Sequence, residues 1–424
     1  LNKGKEFFGY GTPIVNYTDV YRKRGLTKSD VRGKVNLTRD EIHRFDARKN
    51  DVFFTRTSET PEEVGMSSVL LDDIDDCVFS GFVLRGRPKN DMFVPEYCKY
   101  CFTTEAIRSA IIMGCTYTTR ALTNGTQLSA IEIVVPPKPE QEAIAKSLTE
   151  IDDLISSLEK LITKKKAIKQ GAMQELLTGK RRLPGFSGEW EEKPISFFGN
   201  FISGNCFPIE YQGCPRGELP FYKVSDFNNA GNSRVMGRAN NYISHNIASV
   251  LSCKIIPKNS VVFAKIGAAI SLERKRITGF DCCIDNNMMS FLPYQKNIAA
   301  YMCYLFQTIR FGEFVEATAL PSLSGKTIGE IQRIFPPTVE EQIAIATVLS
   351  DLDFEIEALE QKLTKYRQVK QGMMQQLLTG KIRLKNDIVD SVHTEQKATA
   401  KKTPVRSAHN HQFDDAVAIA AIVD

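Results

Sequence analysis

The chain reads as an α+β protein in which two variable globules alternate with two long helices. The helices are expected to return antiparallel and pair as a coiled coil, giving an internal pseudo-twofold repeat. Three observations predict this. A stretch near residue 140 is written again at a constant offset of 201 residues, with about 24 of 44 aligned positions identical. Each copy spaces its apolar residues as heptads, and the sequence between the copies breaks into short β-rich runs.

The first globule spans residues 1–135 and the second 183–335. Runs such as Val52-Phe53-Phe54 and Val261-Val262-Phe263 have strand character and are bounded by Gly, Asn and Pro. The globules echo each other weakly. Pro13–Asp19 parallels Pro220–Asp226, and Asn50–Arg56 parallels Asn259–Lys265. Segments 136–182 and 336–384 carry the repeat, each opening on a Pro-Pro pair and closing on Leu-Leu-Thr-Gly-Lys. In the first, Ile144, Leu148, Ile151, Ile155, Leu158 and Ile162 form a heptad seam. In the second the same seam is Ile345, Leu349, Leu352, Ile356, Leu359 and Leu363. Helices of this length are rods of roughly 60 Å that end near Gly179 and Gly380. A seam that narrow calls for a helical partner, and the chain supplies a matching one; packing of each helix on its own globule is the alternative. Residues 385–424 form a tail, a polar linker followed by an apolar run from Phe413 that reads as the first turns of a helix.

Bulk properties narrow the function. At 42% hydrophobic and 25% charged residues the composition is that of a globular protein with real cores. No apolar run approaches the roughly 20 residues of a membrane helix, and no signal peptide is visible, so a cytoplasmic location without membrane contact is expected. The net charge of +5 permits an anionic partner. Basic clusters at 22–24, 85–89, 164–166, 180–182 and 274–276 favour nucleic acid.

Catalytic patterns fail on inspection. Cys98 and Cys101 have metal-ligand spacing but no completing ligands, and the other cysteines read as reduced core residues. Ser324-Gly325-Lys326-Thr327 lacks the earlier glycine of a phosphate loop, since Leu320 stands there. The proline pairs have no polar group placed for transfer to an adenine amine, and the five histidines form no triad or metal set. The chain is therefore read as non-catalytic, with no metal and no cofactor of its own.

The motifs resemble a known family. The Pro-Pro pair followed by Glu-Gln and Ala-Ile-Ala, the Lys-Gln-Gly…Leu-Leu-Thr-Gly-Lys ending, and the linker Arg182–Trp190 are similar to the specificity subunit of type I restriction-modification systems. The resemblance covers roughly residues 10–384. It implies two target-recognition domains, each reading one half of a split DNA sequence. It further implies paired helices that set the spacer and dock two methyltransferase subunits, with restriction subunits joining the full complex. S-adenosylmethionine and ATP would then sit on those partner subunits. The first domain lacks a counterpart of the stretch Trp190–Gly204, so an N-terminal strand or helix is expected to be missing there.

Under this resemblance the expected DNA contacts are Tyr17, Arg22, Lys23, Arg24 and Arg56 in the first domain. In the second they are Lys223, Asp226, Asn228, Lys265 and Arg274. Lysine and arginine would neutralise phosphates while loop side chains read base edges. Two other readings fit the sequence: the recognition half of a single-chain restriction-methylation enzyme, and a coiled-coil adaptor whose globules bind proteins.

Overall fold

The computed structural model describes residues 3–315, 321–384 and 416–418. Two compact units emerge, residues 1–159 with 362–424, and residues 160–361. They cut across the segments read from the sequence, because each unit takes one globule together with part of both long helices.

In the first unit a four-stranded sheet runs in the order Gly25–Leu26, Ser67–Leu70, Val52–Thr55, Val83–Gly86. The strand Val52–Thr55 is buried throughout because the sheet is covered on both faces. Alternation sends Val52 and Phe54 into one core and Phe53 into another. A second sheet places Phe8–Val15 between Gly33–Val35 and Val78–Phe79, the latter parallel to it.

The second unit repeats this plan. Its sheet runs in the order Gly199–Ser203, Met288–Pro293, Val261–Ala264, Lys275–Thr278, Val235–Met236. Val261 and Phe263 enter one core and Val262 another, matching the first unit residue by residue. Leu219–Tyr222 runs parallel to Cys283–Ile284, as Phe8–Val15 does to Val78–Phe79. The lead-in turns also correspond: Asn50 and Asn259 both hold left-handed backbone, with φ of 75° and 64°. A short polar side chain tolerates that conformation where a branched one does not. The units differ at one sheet edge. Gly199–Ser203 flanks Met288–Pro293, whereas no described strand flanks the equivalent edge of Val83–Gly86.

The long helices are Lys138–Leu176 and Val339–Leu377, each of 39 residues. Gly179 and Gly380 follow them with φ of 70° and 69°, the left-handed residue that ends a helix and that glycine adopts without strain. The first two seam positions of each helix go into a globule core. Ile144 and Leu148 join the first unit's core with Leu377 and Leu378 of the other helix, and Ile345 and Leu349 join the second unit's core with Leu176 and Leu177. Of the remaining seam residues, Ile151, Leu158, Ile162, Ile356 and Leu363 are buried, while Ile155, Leu352 and Leu359 are half-buried.

The helices meet antiparallel inside each unit through two copies of one polar network. In the first unit Arg383 donates to Glu140 through Nε at 2.7 Å and Nη2 at 2.5 Å, Lys370 pairs with Asp152, and Tyr100 donates to Asp152 at 3.0 Å. In the second Arg182 donates to Glu341 at 2.9 and 2.5 Å, Lys169 to Asp353 at 2.6 Å, and Tyr304 to Asp353 at 2.7 Å. The helical members of each set stand 201 residues from their counterparts and are identical between copies.

Within the tail, residues 416–418 form a strand rather than the helical turns expected from the sequence. Its backbone pairs antiparallel with Glu132–Val134, and Ala416 opposes Val134 as Glu191 opposes Phe335 in the other unit. The rest of the tail lies outside the described residues. Among the described residues no helix is long and apolar enough to cross a membrane.

Candidate nucleic-acid interface

Each unit builds the same backbone frame where its two sheets meet. In the first, the Arg56 N–H donates to the Phe82 carbonyl at 3.0 Å and the Ser80 N–H to the Val15 carbonyl at 3.0 Å. In the second, the Lys265 N–H donates to the Asn287 carbonyl at 2.8 Å and the Asp285 N–H to the Tyr222 carbonyl at 2.9 Å. The turn that follows also matches: Asp19 accepts from the Asn16 N–H at 2.9 Å, and Asp226 from the Lys223 N–H at 2.6 Å. Asn16, Ser80, Phe82 and Arg56 therefore occupy the places of Lys223, Asp285, Asn287 and Lys265. The frame is kept and all four side chains change.

In the first unit Tyr17 stacks on Tyr21 with ring centroids 5.9 Å apart. Both line a hollow of about 410 Å³ with Phe82, whose side chain is 63% exposed, and with Arg120. Arg120 pairs with Glu59 at 3.1 Å, and Tyr21 donates to Glu63 at 2.7 Å. Arg56 and Arg22 are exposed. Lys23 pairs with Asp30; burial raises that carboxyl's pKa, but hydrogen bonds from Lys23 and Thr27 outweigh it and hold the value below the usual range. Arg24 is half-buried against the Met374 sulfur at 3.9 Å and faces the helix end rather than an open surface.

In the second unit Lys265 Nζ donates to Ser203 Oγ at 3.2 Å and Lys223 Nζ to Gln212 Oε1 at 2.9 Å. Arg274 donates to Asn228 Oδ1 at 2.7 Å, so two predicted residues form one exposed pair. Asp226 is fully buried and does a structural job: its carboxylate accepts from the backbone of Lys223 and Asn240 and from Asn229. It has no surface to offer a base, which corrects the expectation for that residue.

Several residues of the basic clusters are already paired with carboxylates. Arg85 and Arg87 serve Asp46 and Asp51 at 2.6 and 2.7 Å, and Lys165 and Lys166 pair with Glu355 and Glu360 of the facing helix at 2.7 and 2.6 Å. Lys275 is 1% exposed beside Glu273. Cys98 and Cys101 are buried in the helix Pro95–Cys101, and burial pushes the Cys101 thiol well up, away from the thiolate a metal would need. Among the described residues no group of His, Cys, Asp and Glu could hold a metal ion.

Sequence reasoning missed Phe82, Asp285 and Asn287. Ser80-Gly81-Phe82 and Asp285-Asn286-Asn287 each follow a short strand as a turn, and an apolar tip in one or an amide pair in the other is the signal that could have found them.

Known proteins are similar to this chain in sequence and in fold. The model of the type I restriction modification DNA specificity domain matches twice, over residues 3–170 and 187–366. The MjaX type I restriction enzyme specificity subunit of Methanocaldococcus jannaschii is 23% identical over 371 residues, covering 82% of either chain. The MjaVIII specificity subunit of the same organism is 24% identical over 274 residues, 60% of this chain and 63% of that one. In fold, the type I restriction-modification S subunit from M. genitalium superposes with a TM-score of 0.53 at 13% identity, over 88% of this chain and 94% of that one. The two copies of the frame are thus two DNA specificity domains, and the chain belongs to the type I restriction-modification specificity family.

Proposed function

We propose that this chain is the non-catalytic DNA-reading subunit of a type I restriction-modification complex and binds a bipartite target. Each unit reads one half-site through the surface around its frame. The paired helices set the spacer and, with the units, dock two methyltransferase subunits; restriction subunits complete the assembly. S-adenosylmethionine and ATP belong to those partners. One observation carries this reading: two frames agree in backbone hydrogen bonding and carry different residues at all four matched positions, while the helix network is identical in both copies. Two readers with different sequence preferences on one shared scaffold need that division. Exposed Arg22 and Arg56, and Arg274 with Asn228, suit phosphate contacts that give salt-dependent affinity.

The test is selection from a randomised duplex pool, with the chain expressed beside its methyltransferase partner. The expected product is two separated sequence blocks joined by a spacer of fixed length and free composition. Recovery of one continuous block, or of none, would reject the reading. Binding of proteins and not of DNA would favour the adaptor alternative.

A further inference from the structure

Within this bipartite reading, the matched frames also point to the positions that choose the bases. Phe82 and Asn287 occupy one structural place, their carbonyls held by the Arg56 and Lys265 N–H groups. Holding the backbone frees the side chain for recognition. Asn287 is exposed and pre-oriented: its Nδ2 donates to Asp285 Oδ2 at 3.2 Å, and its N–H donates to Asp285 Oδ1 at 3.2 Å. Asp285 itself is 4% exposed, so the support is rigid. With one amide hydrogen spent on Asp285, Asn287 keeps one donor and one acceptor. That pair matches the N7 acceptor and N6 donor of adenine in the major groove. Phe82 has no such groups. It stands 63% exposed beside Tyr17 and Tyr21, and an apolar ring there suits the methyl group of thymine. Glu59 and Glu63 line the same hollow, which disfavours a phosphate at that spot.

We propose that Phe82 and Asn287 are equivalent specificity-determining positions, Asn287 selecting an adenine in one half-site and Phe82 contacting a thymine methyl in the other.

The experiment repeats pool selection with Asn287→Ala, Asn287→Ser and Phe82→Ala, beside the wild type and Arg22→Ala. The backbone hydrogen bonds of both frames survive these changes, although Asn287→Ala takes one donor from the buried Asp285 carboxylate, and unchanged thermal unfolding checks that the fold holds. Asn287→Ser keeps a hydroxyl donor for the buried Asp285 carboxylate while losing the second donor that would meet a base, so it remains informative if the alanine variant unfolds. The expected result is loss of preference at one adenine position of one half-site, on the order of ten- to a hundredfold, with the other half-site unchanged. Phe82→Ala should relax a thymine in the opposite half-site, and uracil in place of that thymine should mimic it. Arg22→Ala should weaken all sequences alike. Unaltered half-sites in the Asn287 and Phe82 variants would overturn this proposal while leaving the bipartite reading standing. A wild type that selects no split site would overturn both.

Discussion

Burying an ammonium group costs several kcal/mol unless a partner compensates it. Lys275 meets that condition with Glu273 and with the Ile309 carbonyl at 2.9 Å, while Glu273 also accepts from the N–H groups of Phe311 and Gly312 at 3.1 and 2.9 Å. Replacing Glu273 by Ala should destabilise the second unit by about 3 kcal/mol, at the low end for a broken buried pair because Glu273 keeps 30% of its side chain exposed. Urea titration checks this. Burial raises the Glu273 pKa, but its hydrogen bonds and Lys275 outweigh that and hold it below its ordinary 4.5. A lowered carboxyl pKa stabilises fully above the ordinary value, and that contribution is lost as pH falls through the folded one. The variant should therefore show less acid sensitivity than the wild type below about pH 4.5. Burial also lowers the Lys275 pKa, so protonation of Lys275 works against folding as pH falls below its ordinary 10.5, and Glu273 offsets only part of this.

Among the elements, the helix network accounts for the repeat. Asp353 joins Lys169 of the facing helix and Tyr304 of the globule, and Asp152 joins Lys370 and Tyr100 in the same way. One carboxylate thus ties two helices and a globule together inside its unit. Asp353→Ala should cost about 1–3 kcal/mol because it strands two donors. A double-mutant cycle with Lys169→Ala should give a coupling above about 0.5 kcal/mol, and a value near zero would remove the network from the stability account. Arg182 and Arg383 make two-pronged contacts with Glu341 and Glu140, a geometry the lysine ammonium does not reproduce.

At the scale of the whole molecule, the two long helices were legible because a 3.5-residue period is local and was written twice, while the first two positions of each expected seam pack into a globule core. So were the Asn50 and Asn259 turns and the strands after them, whose alternation survives divergence. The exposed face was less legible. Arg85, Arg87 and Lys275 look like surface cations in sequence, and only the long-range approach of Asp46 and Asp51, or the turn at Glu273, shows them to be internal. Asp226 was misplaced for the same reason, its partners Asn240 and Asn229 being set by the fold. Phe82 and Asn287 came into view only when the two frames could be matched bond by bond.

Two readers joined by a helical spacer should respond to the length of that spacer. One heptad inserted into each long helix, after Glu159 and after Glu360, changes that length, and methylated sites can then be mapped in cells that carry the methyltransferase partner. Seven residues add about 10 Å to each helix, or roughly three base pairs of duplex. Both half-sites should be retained, and the unspecific spacer should lengthen by about that amount. An unchanged spacer, or altered half-site sequences, would contradict this.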